Sequence, residues 1–90
     1  MSWNYRIIRH REKNPVTKKV ESFFQIHEVY YDKKGVAGSV SKDAIPAHGE
    51  TPKEVFQDLV LMLRGAAEFP VIDMAYFDRR EKNSRKGKKG

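Results

Sequence analysis

The chain has 90 residues, 39% hydrophobic and 33% charged, with no cysteine and a net charge of +6. This is one domain near the lower limit for a self-sufficient core, without a disulfide, a thiolate metal site or a cysteine nucleophile. The charge is unevenly placed. Residues 79–90 hold Arg79, Arg80, Lys82, Arg85, Lys86, Lys88 and Lys89 against Glu81 alone, a surplus equal to that of the whole protein. Residues 1–78 balance at 11 bases and 11 acids, so the chain reads as a neutral body with a basic tail. The opening MSWNYRIIRH lacks the basic-then-apolar pattern of a secretory signal. The longest apolar run, Leu59 to Leu63, is far short of a bilayer span. A cytoplasmic protein with no membrane partner is expected.

In chain order, Trp3 to His10 is aromatic and β-branched and predicts a first strand. Asn14-Pro15 supplies a turn. Val20 to Tyr31, with Phe23, Phe24, Ile26, Val29, Tyr30 and Tyr31, predicts a second strand. Asp32-Lys33-Lys34-Gly35 fits a hairpin built on a type I turn and a left-handed glycine. Val36 to Ser41 returns as a third strand, in which Gly38 marks a bulge or a close backbone approach. Thr51-Pro52-Lys53-Glu54 is a helix start: Thr51 can accept from the N–H of Glu54, Glu54 can reach back to Thr51, and Pro52 suits the first helical position. The helix runs to about Ala67, and Pro70 ends it. Val71 to Phe77 predicts a fourth strand. The expectation is a single α+β domain over residues 1–78, β-β-β-α-β. Its three- or four-stranded, largely antiparallel sheet packs on one helix, and residues 79–90 form a disordered tail.

Placed at about 100° per residue, Val55, Phe56, Leu59, Val60, Met62, Leu63, Ala66 and Ala67 form one apolar arc of the helix, suited to covering a sheet. Leu61 falls on the opposite, polar side. The predicted core is Tyr5, Ile7, Phe24, Ile26, Val55, Leu59, Met62, Leu63 and Ile72. The second strand is apolar on both sides: Phe24, Ile26 and Tyr30 share one face with Glu28, while Phe23, Val29 and Tyr31 share the other with Gln25 and His27. One helix covers one face, so the second face calls for a second copy, a partner protein, a ligand, or the chain's own ends. Phe23, Gln25, His27, Val29, Tyr31 and Leu61 are the candidate partner surface, for a homodimer or a protein partner.

Catalytic patterns are weak. His10, His27 and His48 have no metal-ligand spacing, and His27 and Glu28 point to opposite faces and cannot pair. Asp32, Asp73 and Asp78 lie in or beside separate predicted strands and turns, and their spacing gives no support for a metal site. No nucleophile elbow or phosphate loop occurs. The reading is a noncatalytic module with no cofactor, metal or small-molecule ligand. The alternative is weak, nonspecific nucleic-acid binding by Arg79, Arg80, Lys82, Arg85, Lys86, Lys88 and Lys89 through phosphate contacts, without aromatics in the tail to stack on bases.

Ile26-His27-Glu28-Val29-Tyr30-Tyr31-Asp32, the turn ending at Gly35, and Gly49-Glu50-Thr51-Pro52-Lys53-Glu54 resemble segments of a group of small uncharacterised bacterial proteins. Their plan is similar to the N-terminal domain of HicB-type antitoxins. Over residues 3–77 the resemblance implies a β-β-β-α-β, partial RNase H-like fold without its catalytic carboxylates. It also implies an antitoxin-like role in which the domain contacts a small toxin.

Overall fold

The computed structural model describes residues 2–87, with side chains described as far as Glu81. The order is β1 (Ser2–Lys13), β2 (Val20–Tyr31), β3 (Ala37–Val40), α1 (Pro52–Glu68), β4 (Ile72–Asp73) and α2 (Met74–Gly87). The strands form one sheet in the order β3-β2-β1-β4. β1–β2 and β2–β3 are antiparallel, whereas β4 pairs parallel to β1 through Ile8–Ile72 and Arg9–Asp73. The α+β class is as expected, but the sheet is mixed and carries two helices.

Local chemistry accounts for the turns. Asn14 Oδ1 accepts from the N–H groups of Val16 and Thr17 and closes the β1–β2 loop. Asp32 Oδ1 accepts from Lys34 and Val36, and Gly35 takes φ 79°, the left-handed glycine of the predicted hairpin. The register slips between Tyr30–Ser39 and Tyr31–Ala37, leaving Gly38 as the extra, bulged residue. At the start of α1, Thr51 Oγ1 accepts from the N–H of Glu54. Glu54 reaches the N–H of Glu50 rather than that of Thr51.

The fourth strand is cut to two residues because Asp73 acts as a cap. Its Oδ1 accepts from the N–H of Ala75 and turns Met74-Ala75-Tyr76-Phe77 into the first turn of α2. Met, Ala, Arg, Glu and Lys are good helix formers, and basic residues suit the C-terminal end of a helix dipole. Arg79, Arg80 and Glu81 fall within α2.

Cross-strand pairing assigns the sheet faces. Trp3, Tyr5, Ile7 and Arg9 share one with Phe24, Ile26, Glu28 and Tyr30; Asn4, Arg6, Ile8 and His10 share the other with Phe23, Gln25, His27, Val29 and Tyr31. α1 packs against β1 around Tyr5, and the start of α2 lies on the second face. Ile8, Val29 and Phe77 make the tightest core cluster, with Tyr31, Ala37, Val40, Ile72, Met74 and Tyr76 packed around it. Of the predicted core, Tyr5 and Met62 are buried and Ile7, Ile26, Val55 and Ile72 half-buried. Phe24, Leu59 and Leu63 are exposed.

Candidate interaction surface

The seating of α1 on β1 determines which of its side chains stay outside. Gly65 rests directly on the strand: a Cβ there would lie 1.9 Å from the Tyr5 carbonyl oxygen, so only a residue without a side chain permits this approach. Tyr5 Oη donates to Asp58 Oδ1 at 2.6 Å, and Asp58 Oδ2 accepts from the His48 N–H at 2.9 Å. The Tyr5 bond, seconded by the His48 N–H, holds the Asp58 carboxyl below its usual range. Burial and then Asp58 push the Tyr5 hydroxyl up. Nearby, Tyr30 Oη donates to Glu28, which raises the Tyr30 hydroxyl.

Asp58, Met62 and Gly65 follow the i, i+4, i+7 spacing of one helical face, and that face meets the sheet. The apolar arc lies to one side of it and is only grazed by the contact. Phe56 is 67% exposed, Leu59 50% and Leu63 68%, while Phe24 on the same side of the sheet is 58% exposed. Hydrophobic periodicity sets the width of the arc; the glycine contact and the Tyr5–Asp58 bond set its rotation.

Leu61 is 49% exposed, among Glu54, Gln57 and Arg64. It lines two clefts at the joint between α1 and β1. One, of about 490 Å³, includes Trp3, Tyr5, Glu28, His48 and Asp58; the other, of about 180 Å³, includes Trp3, Tyr5, Arg64, Gly65 and Phe69. Trp3 stands edge-on to Tyr5 with ring centroids 5.2 Å apart.

The remaining candidate partner residues are on the opposite sheet face and do not form one open surface. Val29 is fully buried and His27 1% exposed, and Tyr31 is half-buried with its hydroxyl donating to Asn4 Oδ1. The chain itself covers this face: Phe77 packs on Ile8 and Val29, and Tyr76 Oη donates to the Ala37 carbonyl at 2.6 Å. Phe23 and Gln25 remain exposed further along the β1–β2 ribbon. The missed signal was Asp73 as a helix cap, which supplies the second helix.

His10 and His27 meet on this covered face, Nε2 to Nε2 at 2.9 Å. His27 Nδ1 lies 3.0 Å from the Ser41 carbonyl oxygen, which can only accept, so Nδ1 carries the proton. His27 Nε2 is then the acceptor in the neutral ring, and His10 Nε2–H donates to it. Phe23 stacks on His10 with ring centroids 4.9 Å apart. Burial, then the neighbouring His27, lower the His10 pKa, with Asp73 opposing. Asp73 is itself lowered, first by the Ala75 N–H and further by Arg11 at 2.9 Å. Among the described residues no group of three His, Cys, Asp or Glu is placed to hold a metal ion.

Of the basic residues, Arg79 and Arg80 are exposed on α2, and the Arg80 guanidinium sits 5.8 Å from the Tyr76 ring centroid. Lys82, Arg85 and Lys86 fall within α2 beyond the described side chains, and Lys88 and Lys89 lie outside the described residues. No helix among the described residues is long and apolar enough to cross a membrane. No family model, curated protein or solved structure matches the chain.

Proposed function

We propose that this protein is a noncatalytic protein-interaction module whose working surface is the outer side of α1. The supporting observation is the exposed row Phe56, Leu59 and Leu63, three large apolar side chains on a helix whose opposite side is locked to β1. Scattered exposed leucines need no explanation, but a contiguous row on one helix face is the pattern of a binding surface. Self-association and antitoxin-like capture of a small toxin are the two forms this reading takes, the second resting on the resemblance to HicB-type N-terminal domains. A photo-crosslinking residue placed at Leu63 should give one defined protein adduct in the cell that makes the protein, and one placed at the exposed turn residue Lys34 should give none. Equal labelling from both sites would overturn the reading.

A second reading, weak nucleic-acid binding, draws on Arg79 and Arg80 presented together on α2. It predicts retention on nucleic acid that falls steeply with salt and vanishes when residues 79–90 are removed. Retention that persists without those residues would refute it.

A further inference from the structure

We propose that the outer half of the β1–β2 ribbon, residues 9–24, binds single-stranded nucleic acid, with the Phe24 ring stacking on a base and Arg9, Lys13 and the turn lysines on the phosphates. The charge of residues 1–78 cancels only in sum. Residues 9–24 carry Arg9, Arg11, Lys13, Lys18 and Lys19 against Glu12 and Glu21, a surplus of +3 that the rest of the body offsets.

The ribbon also sorts its charges by face. Residues directly opposite one another share a face, and Arg9, Arg11 and Lys13 stand opposite Phe24, Ser22 and Val20, none of them charged. Glu12 and Glu21 stand opposite each other on the reverse face. That like-charge pairing is unfavourable in itself, and it keeps both strand acids away from the bases. Asp73 reaches the basic side from β4 and pairs with Arg11 at 2.9 Å. Arg9 donates its Nε to the neutral Ser22 Oγ at 3.1 Å. Lys13, Lys18 and Lys19 make no ion pair among the described residues.

Spacing and exposure fit one nucleic-acid strand. β3 meets β2 at Val29 to Tyr31 and β4 meets β1 at Ile8 and Arg9, so no strand flanks the ribbon beyond these points. Alternate residues of a strand lie about 6.8 Å apart, which sets Arg9, Arg11 and Lys13 at close to the interval of successive phosphates. Phe24 is 58% exposed, directly opposite Arg9. An exposed ring among bases holds unpaired nucleobases by stacking and their backbone by charge. In a duplex the base faces are already stacked, which selects the single strand. A lipid bilayer would need its apolar anchors at the turn, where Val16 stands with Lys18 and Lys19, whereas Phe24 sits four residue pairs back from the last pair of the ribbon. Residues 79–90 contain no aromatic residue, so dependence on Phe24 separates this surface from them.

The experiment is fluorescence anisotropy of a labelled, mixed-sequence single-stranded oligonucleotide titrated with the full chain at low salt. Binding is expected, and weaker binding to the same sequence as a duplex. Phe24→Ala should weaken it about 5- to 100-fold, the worth of one base stacked on a ring. Phe24→Trp should restore it, with emission quenched on binding beyond the change in the parent chain, whose one tryptophan is Trp3. Lys13→Gln should lower the slope of log affinity against log salt by about 0.7, that of one single-strand phosphate contact. Both side chains are exposed, and an unchanged far-ultraviolet spectrum checks the fold of each variant. Absence of binding would overturn the proposal. So would affinity and salt slope unchanged in both variants, which would return the contact to residues 79–90. Equal affinity for the duplex would overturn the single-strand assignment. Binding to phosphatidylserine vesicles but not to the oligonucleotide would overturn it in favour of a membrane surface.

Discussion

The two faces of the sheet bury side chains by different means. The α2 face is closed by ordinary apolar packing: Ile8, Val29 and Phe77 meet with almost no exposure, and Tyr76 ties the helix to β3. On the other side α1 is held to β1 by backbone proximity and a polar bond, Gly65 on the Tyr5 carbonyl and Tyr5 on Asp58, and Phe24 stays exposed. Packing consumes apolar surface, whereas a glycine contact and a hydrogen bond leave it free. The longer, more amphipathic helix therefore keeps Phe56, Leu59 and Leu63 outside, and the shorter run Met74 to Phe77 supplies the core.

If that difference is real, the largest stability loss should come from the α2 face. Ile8→Ala is expected to cost about 2–5 kcal/mol, as for fully buried aliphatic residues, measured by chemical denaturation. Leu63→Ala should stay within about 0.5 kcal/mol, as for surface positions. Equal losses would erase the contrast. Next is Gly65→Ala. The methyl would have to enter space held by the Tyr5 carbonyl, at an expected cost of about 1–3 kcal/mol, beyond the roughly 1 kcal/mol that alanine gains in helix propensity over glycine. An unchanged or raised denaturation midpoint would show that α1 is not seated through this glycine.

Much of the fold was legible because its signals are local. The bounds of β2, the Gly35 turn, the Gly38 bulge and the Thr51 cap each follow from residues within a few positions of one another. What was not legible depended on contacts across the chain. Gly65 reads in sequence as an unfavourable helix residue; only its encounter with Tyr5, sixty positions earlier, reveals its use and fixes the rotation of the helix. Asp73 reads as a polar interruption in a strand, because its capping bond competes with strand pairing only once β4 has met β1. The candidate surface is divided for the same reason: Val29 and His27 are buried, while Phe23, Gln25 and Leu61 stay exposed. Two-sided apolar character in β2 called for a cover on the second face, but periodicity alone could not assign Phe77 to it.

A smaller effect is expected at the polar clasp of α1. Tyr5→Phe removes the donor to Asp58 while keeping the ring, and should cost about 1 kcal/mol, the net worth of one hydrogen bond. The variant also has a pH signature. Asp58 is lowered in the folded state, so its contribution is present above the ordinary carboxylate pKa of 3.8 and is lost as pH falls through the folded value. Tyr5→Phe should flatten that acid limb. An acid limb as steep as in the parent chain would assign it elsewhere, with Asp73, also lowered, the first alternative.

The smallest expected effect lies on the α2 face and tests whether the His10–His27 pair is tied to the packing around it. His10 has a lowered pKa in the folded protein, chiefly from burial and then from His27. The unfolded chain therefore binds a proton at a higher pH than the folded chain does. Stability should be fully present above the ordinary histidine pKa of 6.5 and lost as pH falls through the folded value. Thermal unfolding followed from about pH 7.5 to 5.5 should show a falling midpoint. His10→Gln keeps an N–H that can reach His27 Nε2 but cannot titrate in this range, so its midpoint should fall less. An identical slope in the variant would mean that the pH dependence comes from another group, and that the His10–His27 bond holds its geometry without coupling proton uptake to the closure of this face.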